Sequence, residues 1–113
     1  MANEQNFTTD SRIGARMKKT ATPMDAALEE ARAAGERGEV PIGAVIVHRG
    51  RIVARAGNRT REHNDVTAHA EILAIRAAGA VLDAERLTDC DLYVTREPCA
   101  MCAAAISFAR IRR

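Results

Sequence analysis

Three residues of this chain have the types and spacing to hold a transition metal, and a fourth stands beside them as an acid–base group. Cys99 and Cys102 are three residues apart directly after Pro98, and His69 and Glu71 are separated by a single alanine. Residues three apart share one face of a helix, so the two sulfurs can converge on one point. Each pair falls at an expected helix start, where unpaired N–H groups and the positive dipole end favour thiolate over thiol. The neutral imidazole of His69 makes a third ligand. Structural zinc sites are closed by four protein ligands, whereas catalytic ones leave the fourth position to water. No fourth ligand stands out: His48 and His63 lie in a strand and a loop without a paired partner, and Cys90 precedes a strand. A water in the open position has its pKa lowered to about 7, which makes a nucleophile able to attack an amidine carbon of an aromatic base. Glu71 could take the proton of that water and hand protons to a ring nitrogen and to departing ammonia.

Taken singly, each feature has a plain reading. A Cys-x-x-Cys pair can be redox-active or inert, a histidine at a helix start is often a cap, and a glutamate in a first turn complements the helix dipole. Their conjunction, H-x-E followed by P-C-x-x-C with each half at a helix start, points to one metal centre with a proton shuttle.

The elements that must position these residues read as α-β-β-α-β-α. Thr22 is a good N-cap, Pro23 suits the first helical position, and Asp25 completes a capping-box pattern. Met24, Ala27, Leu28, Ala31 and Ala34 then recur at helical spacing, and Gly35 and Gly38 end the helix. Val40 to His48 is an uninterrupted apolar, β-branched strand that turns at Arg49-Gly50 into a second strand, Arg51 to Ala56. A polar loop, 57–67, leads to Thr67, which is placed to cap a helix ending near Gly79. Asp91 to Thr95 is a short strand, and Pro98 opens a helix from Cys99 to Ala109. Strand, helix, strand calls for a right-handed crossover. The class is therefore α/β with a small mixed sheet.

The 113 residues suit one domain. With aromatics at only 3%, its core must be built from Ala, Val, Ile and Leu. Residues 1–22 are polar, lack apolar period and read as a flexible extension, which leaves 23–113 as the structured domain. Arg12, Arg16, Lys18 and Lys19 against Glu4 and Asp10 account for the whole net charge of +2, so charge alone argues for no nucleic-acid partner. There is no signal-peptide-like apolar run and no stretch of membrane-spanning length. With three cysteines in such a chain, metal or redox chemistry is expected over a disulfide framework, and the cytoplasm is the expected compartment.

Further segments extend the pattern: Glu39 to Val45 (EVPIGAV), Gly57 to Arg59 (GNR), Thr67 to Ile72 (TAHAEI), Leu92 to Thr95 (LYVT), Glu97 to Cys102 (EPCAMC) and Ala109 to Ile111 (ARI). Together they resemble the bacterial tRNA-specific adenosine deaminases of the cytidine/deoxycytidylate deaminase superfamily, over residues 24–113. The H-x-E and P-C-x-x-C pair is the signature of zinc nucleobase deaminases. The resemblance implies a cytidine deaminase-like three-layer α-β-α fold and one zinc ion per chain on His69, Cys99 and Cys102, with Glu71 as the catalytic proton carrier. It implies hydrolysis of adenosine to inosine at the wobble position, with the tRNA anticodon arm as partner and a homodimer as the assembly. It places Asn58 where the family has an asparagine that contacts the substrate nucleoside. Two departures stand out. The family pattern continues past the position of Arg113 with further strands and helices, so the domain is expected to be incomplete at its C-terminus, with the strand around Tyr93 left as an exposed edge. Arg96 stands where the pattern has an apolar residue. Two alternatives stay open: a related deaminase of a free base or nucleotide (guanine, cytosine or cytidine), and a zinc-binding domain without turnover.

Overall fold

Thr22 starts the first helix, α1 (Pro23–Glu36), through a reciprocal capping box. Its hydroxyl accepts the Asp25 N–H at 3.1 Å, and the Asp25 carboxylate accepts the Thr22 N–H at 2.9 Å. Such a cap is worth about 1 kcal/mol. The computed structural model describes residues 22–112, so the expected extension over 1–22 lies, save for Thr22, outside the described residues. The buried face of α1 is Ala26, Ala27, Ala31 and Ala34, whereas Met24 and Leu28, expected on that face, are exposed. Small residues face the sheet because the sheet comes very close: a Cβ on Gly43 would lie 2.0 Å from the Ala27 carbonyl oxygen.

Gly43 begins β1 (Gly43–His48), which turns through Arg49 and Gly50 into β2 (Arg51–Gly57). Both turn residues have positive φ, 51° and 83°, the conformation a two-residue hairpin requires. After β2 come a single turn of helix, α2 (Thr60–His63), then α3 (Ala70–Leu82), β3 (Cys90–Val94) and α4 (Ala100–Phe108). The turn α2 sits inside the stretch expected to be loop, and α3 runs past Gly79 to a left-handed cap at Asp83.

The sheet order is β2-β1-β3, and β1 is antiparallel to both neighbours. The expected mixed pairing is therefore absent among the described strands. The crossover through α3 does set β2 and β3 parallel, but β1 lies between them. As the middle strand β1 is buried on both faces, which explains its unbroken apolar run. Ala44 and Ile46 pack with Ala70, Ala74 and Ala78 of α3, together with Leu87, Cys90 and Ala109. Val45 and Val47 pack with Ala26 and Ala27 of α1 and with Tyr93. The result is the expected α/β architecture in three layers, with α1 on one face of the sheet and α3 on the other. Among the described residues no helix is long and apolar enough to cross a membrane.

Candidate metal centre

The layer that holds α3 also brings the first residues of α3 and α4 together. His69 is the N-cap of α3 and Cys99 the N-cap of α4, both with extended backbone (ψ 154° and 175°). The His69 side chain makes no bond to its own helix, while the Cys99 sulfur faces the first N–H groups of α4. Pro98 directly precedes Cys99, and Cys102 lies one turn into α4.

His69 Nδ1 lies 3.4 Å from Cys102 Sγ and 3.7 Å from Cys99 Sγ, and all three donor atoms lie within 4.8 Å of one another. A tetrahedral zinc with Zn–S of about 2.3 Å and Zn–N of about 2.0–2.1 Å separates its nitrogen and sulfur ligands by about 3.6 Å. The donor set and its spacing therefore fit zinc. Cys102 is buried and Cys99 exposed, so the cluster is closed from the core and open towards solvent. His48, His63 and Cys90 take no part in it among the described residues. Cys90 is instead buried in the sheet, packed with Ile46 and Leu87.

The two thiols differ. The backbone N–H of Cys102, with that of Met101, lowers the pKa of Cys99 below the ordinary thiol value, as expected at a helix N-terminus. Burial pushes Cys102 up, and the nearby Glu71 charge adds to this. A bound dication reverses that penalty, because a coordinated thiol ionises.

Glu71 is the second residue of α3 and only 4% exposed. Its carboxylate is close enough to Cys102 for its charge to act on that thiol, which sets it near the cluster. Asn58, at the end of β2, is equally buried at 4%. Its side-chain oxygen accepts the Ala70 N–H at 2.8 Å, so it caps α3 from another element. Thr67, expected to supply that cap, instead donates both its N–H and its hydroxyl to the Asp65 carboxylate. Thr67 lies in a turn closed by the Ala68 N–H on the Asp65 carbonyl at 3.0 Å, and its side chain is engaged within that turn. Asn58 is itself fixed: its N–H donates to the Ile42 carbonyl at 3.1 Å, and its carbonyl accepts the Arg37 guanidinium at 3.0 Å. Among the described residues its side-chain nitrogen has no hydrogen-bond partner.

One buried charged residue was not singled out by its sequence. Glu39 is 6% exposed, and its carboxylate accepts the N–H groups of Arg61 and Glu62 at the start of α2. A lone carboxylate between a helix stop and a strand carries no spacing signal of its own. Arg96 is exposed, so its charge is not buried where an apolar residue was expected.

The family described as the cytidine and deoxycytidylate deaminase zinc-binding region matches residues 17–113. The tRNA-specific adenosine deaminase of Agrobacterium fabrum is 72% identical over 90 residues, covering 80% of this chain and 59% of the relative. That of Aquifex aeolicus is 51% identical over 87 residues, covering 77% and 58%. The chain thus spans about three-fifths of the length of these curated relatives. A solved structure from a study of A-to-I editing by tRNA:A34 deaminases at the wobble position superposes with a TM-score of 0.79 at 71% identity, covering 80% of this chain and 70% of that one. Guanine deaminase from Bacillus subtilis superposes with a TM-score of 0.78 at 44% identity, covering 85% and 61%. With a zinc-fitting His-Cys-Cys cluster at the meeting point of two helix starts, this chain belongs to the cytidine and deoxycytidylate deaminase zinc-binding family.

Proposed function

We propose that residues 23–113 form the catalytic domain of a tRNA-specific adenosine deaminase, which converts the wobble adenosine of an anticodon to inosine with water as co-substrate and ammonia as product. The carrying observation is the 71% identity with the A34 deaminase structure, against 44% with the guanine deaminase at nearly the same TM-score. The metal cluster by itself suits either substrate.

In this reading His69 Nδ1, Cys99 Sγ and Cys102 Sγ hold one zinc ion, and Glu71 and Asn58 act on the substrate. Zinc supplies Lewis-acid activation of the attacking water. Glu71 would accept one proton of that water and deliver it to the purine N1, then take the second proton from the oxygen now bound to C6 and pass it to the amine, which leaves as ammonia. Its burial keeps the carboxylate away from bulk water, so the proton stays at the site. Asn58 spends its oxygen on α3 and turns its amide nitrogen to the nucleoside. The anticodon arm is the partner. An unpaired loop base enters such a pocket without breaking a duplex. A homodimer working in the cytoplasm completes the reading.

The test uses the zinc-loaded chain with an anticodon stem-loop carrying adenosine at the wobble position, and with free guanine and free cytidine. Inosine formed only in the stem-loop is expected. Turnover of free guanine without inosine formation would overturn the reading in favour of a free-base deaminase.

A further inference from the structure

Glu39 is a buried carboxylate that the chemistry above does not use. Its two oxygens accept the N–H of Arg61 at 3.1 Å and of Glu62 at 2.9 Å, and the Thr60 hydroxyl lies at 3.5 Å. These are unpaired donors of the first turn of α2, and a carboxylate is the natural partner for them. Glu39 itself is tethered to the sheet, four residues ahead of β1, and its own N–H donates to the Ala34 carbonyl at the end of α1.

The segment it grips is closed at its base. The Arg59 N–H donates to the Ala68 carbonyl at 3.0 Å, and the Asn58 side-chain oxygen accepts the Ala70 N–H at 2.8 Å. Residues 59–68 therefore form a loop whose two ends meet beside His69. Arg37, two residues before Glu39, donates to the Asn58 carbonyl. The side chains of Arg37 and Glu39 thus fix this loop from one short stretch between α1 and β1. Val40 and Pro41 carry no side-chain hydrogen-bonding group that could replace them.

We infer that Glu39 is a positioning residue for the nucleobase pocket: it locks the 59–68 loop so that the side-chain amide of Asn58 is held in place beside the metal cluster. This rests on the deaminase reading, in which Asn58 contacts the nucleoside. Glu39 touches neither substrate nor metal, and it acts through Asn58. Glu39→Gln keeps the size of the side chain but turns an N–H₂ towards an N–H donor, so one of the two bonds must break.

The experiment is a double-mutant cycle on the full chain with the wobble-adenosine stem-loop. Zinc content, kcat and KM are measured for wild type, Glu39→Gln, Asn58→Ala and the double variant. Glu39→Gln is expected to keep one zinc per chain and to lower kcat/KM about tenfold, on the scale of one charge-assisted hydrogen bond. The double variant is expected to fall no further than Asn58→Ala alone. Additive losses, or full activity in Glu39→Gln, would overturn the assignment. Amide exchange read in parallel is independent of turnover. Glu39→Gln should speed exchange at Arg61, Glu62 and Ala70, and an unchanged rate at Ala70 would overturn the inference. A wild-type chain that leaves the stem-loop untouched would instead count against the deaminase reading, with the exchange data still deciding the role of Glu39.

Discussion

Asn58 caps α3 through its side chain and, in the proposed reading, contacts the nucleoside through the same side chain, and the two roles can be separated. Its oxygen caps α3 by accepting the Ala70 N–H in a site only 4% exposed, and its nitrogen is assigned to the nucleoside. Asn58→Ala removes both. The orphaned N–H is buried, so its full desolvation cost counts, about 1–3 kcal/mol. A lost helix cap costs about 0.5–2 kcal/mol, and the two ranges overlap at about 1–2 kcal/mol. For a domain of this size that lowers Tm by roughly 10 °C. Asn58→Asp is the separating variant. It keeps an acceptor for Ala70, with a negative charge that the helix N-terminus favours, but has no amide N–H. Thermal melts of the zinc-loaded chain should therefore show a large loss for the alanine variant and a smaller one for the aspartate. Amide exchange at Ala70 should be fast only in the alanine variant. Deamination of the wobble-adenosine stem-loop should fall about tenfold or more in both. An alanine variant that melts with wild type would refute the capping argument. An aspartate variant with full kcat/KM would refute the donor role.

Four other outcomes are expected. Glu71→Gln should retain one zinc per chain while losing about 10²–10⁴-fold in kcat, read by metal analysis and by inosine formation; normal turnover would remove Glu71 from proton transfer. Cys99→Ala should lose zinc, and intact stoichiometry in that variant would strike Cys99 from the ligands. Chelation should raise amide exchange in α4 before the sheet opens; uniform protection across α4 after metal removal would contradict its dependence on the cluster. The fourth outcome concerns acid. Bonds from the Thr67 hydroxyl and N–H hold the Asp65 carboxyl below its ordinary pKa. A carboxyl depressed in the folded state stabilises above its ordinary value, and that stabilisation is lost as pH falls through the lowered value. The gap in urea midpoint between wild type and Asp65→Asn should thus be open at neutral pH and close as pH falls through the lowered value, and a gap that persists in stronger acid would contradict the assignment.

What the sequence made legible is what depends on local spacing. The capping box at Thr22 and Asp25, the Arg49-Gly50 turn, the helical i, i+3 relation of Cys99 and Cys102, and the placing of His69 and Cys99 at helix starts all involve residues within a few positions of one another. What stayed hidden depends on distant partners. Thr67 was the obvious local cap for α3, but Asn58, twelve residues away, takes that role because the start of α3 lies against the end of β2. The single turn α2 has no period to detect, and its exposed N–H groups are satisfied by Glu39, more than twenty residues upstream. The buried side of α1 is hidden in the sequence because it is formed by alanines, while the large apolar residues Met24 and Leu28 are exposed. Contact with Gly43 and β1 leaves room only for alanine, so Met24 and Leu28 turn outward. The strand order could not be read at all, since a crossover reaches a parallel strand equally well with or without another strand between.

The metal cluster and the fold depend on each other through α4. Cys102 is the one buried residue of that helix, while Met101, Ala103, Ala104, Ser107 and Phe108 are exposed. Apolar burial, which holds α1 and α3 to the sheet, therefore does little for the start of α4. Its far end is tied down separately: the Ala109 carbonyl accepts the Leu87 N–H at 2.6 Å, and the Cys90 carbonyl accepts the Arg112 N–H at 2.9 Å. Between these bonds and the N-terminal sulfurs the helix spans the gap like a strut. Zinc bound to Cys99 and Cys102 would join the free end of that strut to His69, and so to α3, the Asn58 cap and the loop that Glu39 grips. The ligands that give the metal its chemistry would then also set the distance between the two helix starts. A substitution that shifts either start would change the open coordination position and the reach of Glu71 together, so binding and proton transfer should fail together in this site.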